Sequence, residues 1–157
     1  MQKTKNKAKI VVALLLIIIW MIIIFIFSAM AGDDSSNLSS GVLYTILKII
    51  PTLSESTTAH IIIRKLAHMI EYAILSALII NLEHQLGYKI KLKQIAIASL
   101  CSALYAFTDE FHQTFINGRS GNITDVGIDT SGAIITGLIA YLVSLTKQKK
   151  DKASNNV

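Results

Sequence analysis

The sequence predicts an all-α integral membrane protein with four transmembrane helices, and three observations predict it. The chain is 52% hydrophobic and only 16% charged, a balance that suits one small lipid-embedded domain better than a water-soluble globule. Ile10 to Phe27 is an unbroken apolar run, long enough to cross a bilayer. Lysines gather in two tails and one short turn, as they do on the cytoplasmic side of a membrane protein. The same distribution argues against nucleic-acid binding, because the net charge of +5 sits largely on flanking lysines instead of on one folded face. A single Cys101 permits no internal disulfide and carries no information about redox compartment.

Residues 1–9 are a basic tail, with Lys3, Lys5, Lys7 and Lys9 placing the amino terminus inside. The first helix is expected over about 10–31, a span of roughly 33 Å at 1.5 Å per residue. Its apolar stretch exceeds the h-region of a cleavable signal peptide, so it is read as retained. In the polar connection that follows, Val42, Leu43, Ile46, Leu47 and Ile50 form one face of a short segment that Pro51 ends. This predicts an amphipathic helix at about 38–50, lying at the outer interface.

The second helix is expected over about 59–82, although Arg64, Lys65, His68 and Glu71 occupy its first half. Ala73 to Leu82 gives only about 15 Å of helix, so the charged half must complete the crossing. At 100° per residue Arg64, His68 and Glu71 form a polar stripe, with Tyr72 beside it. Glu83 to Lys93 is then a basic inner turn. The third helix, about 94–115, must likewise extend through Asp109 and His112 to span, and it puts Ser102, Tyr105, Asp109, His112 and Gln113 on one face, with Glu110 on the next. Asn117 to Asn122 is a turn outside the membrane. The fourth helix, about 125–146, is expected to start with Thr124 as its cap and to carry Asp125, Asp129, Gly132 and Thr136 along one stripe. Ala133 and Gly137 are spaced for close helix packing. Residues 147–157 form the second basic tail, cytoplasmic and expected to be disordered. Residues 10–146 thus make one domain.

On this topology charged groups from three stretches converge at one depth in the outer half of the bilayer, where each costs up to about 2.5–3.5 kcal/mol. They must face one another, water or a ligand, and their number suggests a cavity. Salt bridges such as Arg64 or Arg119 with Asp125 or Asp129 are the simplest structural use. His68 with Glu71, and His112 with Asp109, are spaced to form acid/base pairs, which makes His68, Glu71, Asp109 and His112 the candidate catalytic residues of an enzyme. Arg64 and Arg119 present planar donors suited to phosphate or carboxylate, pointing to an anionic lipid headgroup or a polyprenyl pyrophosphate. Candidate ligand-binding residues are Arg64, Lys65, Tyr72, Glu110, Gln113, Arg119, Asp125 and Asp129. No metal site and no cofactor is assigned; a divalent ion on the His and carboxylate groups is the weaker alternative.

RKLAHMIEY at Arg64 to Tyr72, DEFHQTFINGR at Asp109 to Arg119 and DVGIDTSGA at Asp125 to Ala133, with FSAMAGDDSS after the first helix, resemble the VanZ-like family of small bacterial membrane proteins. The best-known member of that family is associated with resistance to the glycopeptide teicoplanin. The resemblance covers nearly all of the chain between the tails, though Met30-Ala31 departs from the Gln-Pro expected in that loop. It implies a multi-pass protein of the Gram-positive cell membrane, both termini cytoplasmic, with Arg64, His68, Glu71, Asp109, Glu110, His112, Gln113, Arg119, Asp125 and Asp129 as signature positions. With the outward-facing arginines beside carboxylates, the resemblance leads to the expectation of a protein that binds a lipid-linked or lipoglycopeptide-type molecule in an outward-facing cavity, contributing to glycopeptide resistance. The alternative is an intramembrane hydrolase or transferase acting on a lipid headgroup or cell-wall precursor.

Overall fold

The computed structural model describes residues 7–29, 57–119 and 121–154, and the expected interfacial helix at about 38–50 lies outside them. The described chain is helical: α1 Lys7–Ser28, α2 Thr57–Gln85, α3 Leu92–Gln113 and α4 Ile123–Ser154. Among the described residues, three helices are long and apolar enough to cross a membrane: α1, α2 over Ile61–Gln85 and α4 over Ile123–Asp151. α3 has the same 22 residues as α1, which is about 33 Å of helix, but is richer in polar groups.

Most expected boundaries shift by two or three residues, and three of the differences have identifiable reasons. α4 runs on to Ser154 instead of fraying at Lys147, because its last turns hold Lys, Gln and Ala and no Gly or Pro to stop them. Glu83 belongs to α2 and is buried, where a solvated turn was expected. α4 starts at Ile123, and its cap is Asn122 in place of Thr124: the Asn122 side-chain oxygen accepts the Thr124 backbone N–H at 3.0 Å. Asn followed three residues later by Asp125 is the pattern that marks such a start.

α2, α3 and α4 pack into a three-helix bundle, with α2 and α4 in the most extensive contact. Small residues decide how close these two come. A Cβ on Gly132 would stand 2.2 Å from the Met69 carbonyl oxygen, so only glycine lets the backbones meet there. The Ser76 hydroxyl donates to the Ala133 carbonyl at 3.0 Å across the same contact. Gly137 faces the Ile95 side chain on α3, while Ala133 is fully buried. The small-residue spacing seen in the sequence thus serves both of α4's neighbours.

α1 lies against the bundle on one narrow edge. Ile24 joins Tyr72, Leu75 and Ala106 in the core, flanked by Ile17, Trp20 and Met21. Two hydrogen bonds fix its register: the Trp20 indole donates to the Glu71 carbonyl at 2.9 Å, and the Tyr105 hydroxyl donates to the Met21 carbonyl at 2.7 Å. The other faces of α1 are exposed leucine, isoleucine and phenylalanine, and Leu100, Leu104, Phe107, Ile135, Ile139 and Leu142 extend that apolar surface over α3 and α4. A surface of this kind needs an apolar solvent.

Candidate functional site

At the end of the bundle where α2 and α4 begin and α3 stops, charged side chains from all three helices turn inward. Arg64, Lys65 and His68 of α2, Glu110 and Gln113 of α3, Asp125 and Asp129 of α4, and Arg119 from the α3–α4 turn enclose one small space. Its free volume is about 20 Å³, room for about one water molecule. Deeper in, Glu71, Tyr72 and Asp109 continue the polar group toward the core, with Tyr72 next to Asp109. These residues share helix faces by their spacing, and the folded chain brings them to one end.

The ion pair is Lys65 with Asp125, in close contact, and not the arginine pairings expected from the sequence. The reason is register: Lys65 stands at the level of Asp125, while Asp129 lies one turn deeper and is almost fully buried. His68 Nδ1 lies 3.4 Å from Glu71 Oε2, so the i, i+3 pair is in contact but not aligned as a hydrogen bond. The second expected pair, His112 with Asp109, does not form. The His112 ring stacks on Phe25 of α1 with centroids 4.6 Å apart, and Asp109 Oδ2 instead accepts from the Gln113 amide at 3.2 Å. His112 therefore sits outside the enclosed space. Glu110, expected on a neighbouring face, points inward and is 6% exposed.

The turn that carries Arg119 is held from both sides. The Arg119 backbone N–H donates to the Ile116 carbonyl across Asn117-Gly118, and Gly118 takes a φ of 76° that favours glycine. The backbone N–H of Asn122 donates to Glu110 Oε2 at 2.9 Å, so the carboxylate clamps the turn from below. So placed, the Arg119 guanidinium reaches α1, where Nη2 contacts the Phe27 carbonyl at 3.5 Å. This carbonyl is in the last turn of α1, where carbonyls lack helical partners and a positive charge is favoured. This link is not legible in the sequence, because nothing local to Arg119 names a partner 92 positions away.

Hydrogen-bonding capacity is left over. Nε and Nη1 of Arg119, Oδ1 of Asp109, Oδ2 of Asp129 and Nδ1 of both His68 and His112 are buried without a hydrogen-bond partner. Arg64 is close enough to repel Arg119, and burial together with that repulsion lowers the Arg119 guanidinium from its ordinary pKa. The unused Arg119 donors, with Arg64 nearby, suit an anion's oxygens. Among the described residues, no group of three or more His, Cys, Asp or Glu is arranged to hold a metal ion. Beside Phe25 an apolar groove of about 300 Å³ runs between α1 and α3, lined by Ile18, Met21, Ile22, Phe25 and Tyr105.

The sequence model of the VanZ/LLP1 family matches residues 13–144, which takes in α2 and α3, most of α1 and α4, and every residue of the polar site. No curated protein and no solved structure matches the chain.

Proposed function

Since the chain belongs to the VanZ/LLP1 family, we propose that it crosses the cell membrane four times, with both termini cytoplasmic, and uses the polar site on the outer side to bind the anionic headgroup of a lipid-linked or lipoglycopeptide-type molecule. Holding such a molecule contributes to resistance to glycopeptides such as teicoplanin. The observation that carries this reading is Arg119, set beside Arg64 with two buried N–H donors unused. The carboxylates of Asp109, Glu110 and Glu71 act on this guanidinium, yet Nε and Nη1 keep donors without a hydrogen-bond partner, and those donors with Arg64 nearby suit an anion's oxygens.

The free space admits a water-sized group, so the ligand presents only its anionic oxygens to Arg119 and Arg64 from the mouth. Its chain lies along the groove between α1 and α3, where Ile18, Met21 and Ile22 offer an apolar wall. Lys65 and Asp125 serve to hold α2 against α4 at the rim, and Glu110 holds the turn that carries Arg119. In a strain whose teicoplanin tolerance depends on this protein, Arg119→Gln lowers tolerance while the protein is still made. Unchanged tolerance with His68→Ala, Asp125→Asn and Arg119→Gln all present at wild-type levels refutes the reading.

One observation favours the enzyme alternative. The enclosed space fits a water beside His68, whose contact with Glu71 could orient the imidazole as a general base toward a headgroup ester or pyrophosphate. A deletion strain whose extracted lipids and cell-wall precursors equal those of the parent rules the hydrolase out.

A further inference from the structure

We propose that the opposite end of the bundle carries a second, independent site, a seat for one phospholipid of net negative charge with its phosphate between Lys89 and Lys147. The seat is built by the way α2 ends. Gly87 adopts φ 90°, its N–H donates to the His84 carbonyl at 2.9 Å, and the Tyr88 N–H donates to the Glu83 carbonyl at 3.0 Å. These two bonds around a left-handed glycine form a Schellman cap, which stops α2 sharply and folds the next residues back. Tyr88, Lys89 and Ile90 are thereby laid alongside the last turns of α4, and a cleft of about 700 Å³ stands between them.

The lining of this cleft is of two kinds. Ile90, Ala140 and Val143 supply apolar side chains, and Lys89 and Lys147 supply ammonium groups. Ala140, Val143 and Lys147 follow one stripe of α4, about 10 Å in length. That is the order of a phospholipid, chain first and phosphate second. Asp151 also lines the cleft, one turn beyond Lys147, but against Lys89 and Lys147 it leaves a net positive charge even with His84 neutral. A zwitterionic head would bring an ammonium of its own into this setting, so an anionic head such as phosphatidylglycerol is selected. Basic clefts between transmembrane helices at the membrane surface are suited to such heads. Arg119 and the polar site lie near the other end of α2, roughly 30 Å away along the helix from Lys65 to Gln85, so the two sites share no residue.

The test uses the full purified chain in detergent, offered equal amounts of phosphatidylglycerol and phosphatidylcholine with identical acyl chains, with bound lipid counted by native mass spectrometry. Wild type retains one phosphatidylglycerol per chain in preference to phosphatidylcholine. Lys89→Gln combined with Lys147→Gln lowers that preference by about 30-fold, equivalent to about 2 kcal/mol from two surface lysines. Both lysines are exposed, so folding is kept. Asp151→Asn raises the preference, and Arg119→Gln leaves this lipid in place, which separates the seat from the outer site. Equal retention of the two lipids by wild type, or an unchanged preference in the double lysine variant, overturns the proposal. So does displacement of the lipid by millimolar inorganic phosphate, because recognition would then rest on the anion alone.

Discussion

Substituting Gly132 perturbs the contact on which the site depends, and Gly127 supplies an internal control. Alanine at 132 places its Cβ 2.2 Å from the Met69 carbonyl oxygen and 2.8 Å from Met69 Cγ, whereas a Cβ at Gly127 meets nothing within 4 Å. An ordinary contact begins near 3.4 Å, so α2 and α4 must part by about 1.2 Å, the difference between 3.4 and 2.2. Overpacking of this kind costs about 1–3 kcal/mol. Separation also stretches the bond from Ser76 to the Ala133 carbonyl, worth about 1 kcal/mol. Against that, replacing a helical glycine by alanine gains up to about 1 kcal/mol. The expected net is a loss of about 1–3 kcal/mol for Gly132→Ala, and no loss or a small gain for Gly127→Ala. Reversible unfolding in mixed micelles with increasing sodium dodecyl sulfate reads both. Equal stabilities of the two variants would refute the close-approach reasoning and the helix register derived from it.

Three further outcomes follow from single contacts. Lys65 and Asp125 are partly exposed, so a double-mutant cycle with Lys65→Gln and Asp125→Asn gives a coupling of at most about 1 kcal/mol in the same unfolding assay; a larger value means the pair is more deeply shielded than the geometry shows. Tyr105→Phe removes the bond to the Met21 carbonyl and costs about 1 kcal/mol, and it increases acrylamide quenching of Trp20, the only tryptophan in the chain; unchanged quenching argues that α1 is held by packing alone. Glu110→Ala frees the Asn122 N–H and lowers its hydrogen-exchange protection about fivefold or more, for a lost bond of about 1 kcal/mol. Glu110→Gln keeps an acceptor oxygen and most of the protection, and loss in both variants alike would point to the charge instead of the hydrogen bond.

Much of the architecture was legible because its signals are local and periodic. The apolar run of α1, the polar stripe of α2 and the turn at Asn117-Gly118 each follow from spacing or residue type within a few positions. The gathering of Arg64, His68, Asp109, Glu110, Asp125 and Asp129 at one end also followed, since charges in three short apolar segments had nowhere else to go. Pairings within the group were not legible. Whether Asp125 meets Arg64, Arg119 or Lys65 depends on helix register to within one turn, and that is set by the Gly132 contact with Met69. His112 was assigned to Asp109 by spacing alone, but α1 competes for its ring through Phe25. Ser102 was on the expected polar face and is buried there, but Ser99, Gln94 and Glu83 were not expected to be buried, because a solitary serine or a residue near a helix end carries no periodic signal.

The account rests on the polar site facing the outside of the cell, and one labelling experiment tests that directly. In a Cys101→Ser background, Asn117→Cys places a thiol on the exposed turn beside Arg119, and Lys149→Cys places one at the far end of α4. Intact cells treated with a membrane-impermeant maleimide should label Asn117→Cys fully, while Lys149→Cys reacts only after permeabilisation. Labelling of Lys149→Cys but not Asn117→Cys in intact cells would put the site on the cytoplasmic side and contradict the proposed function.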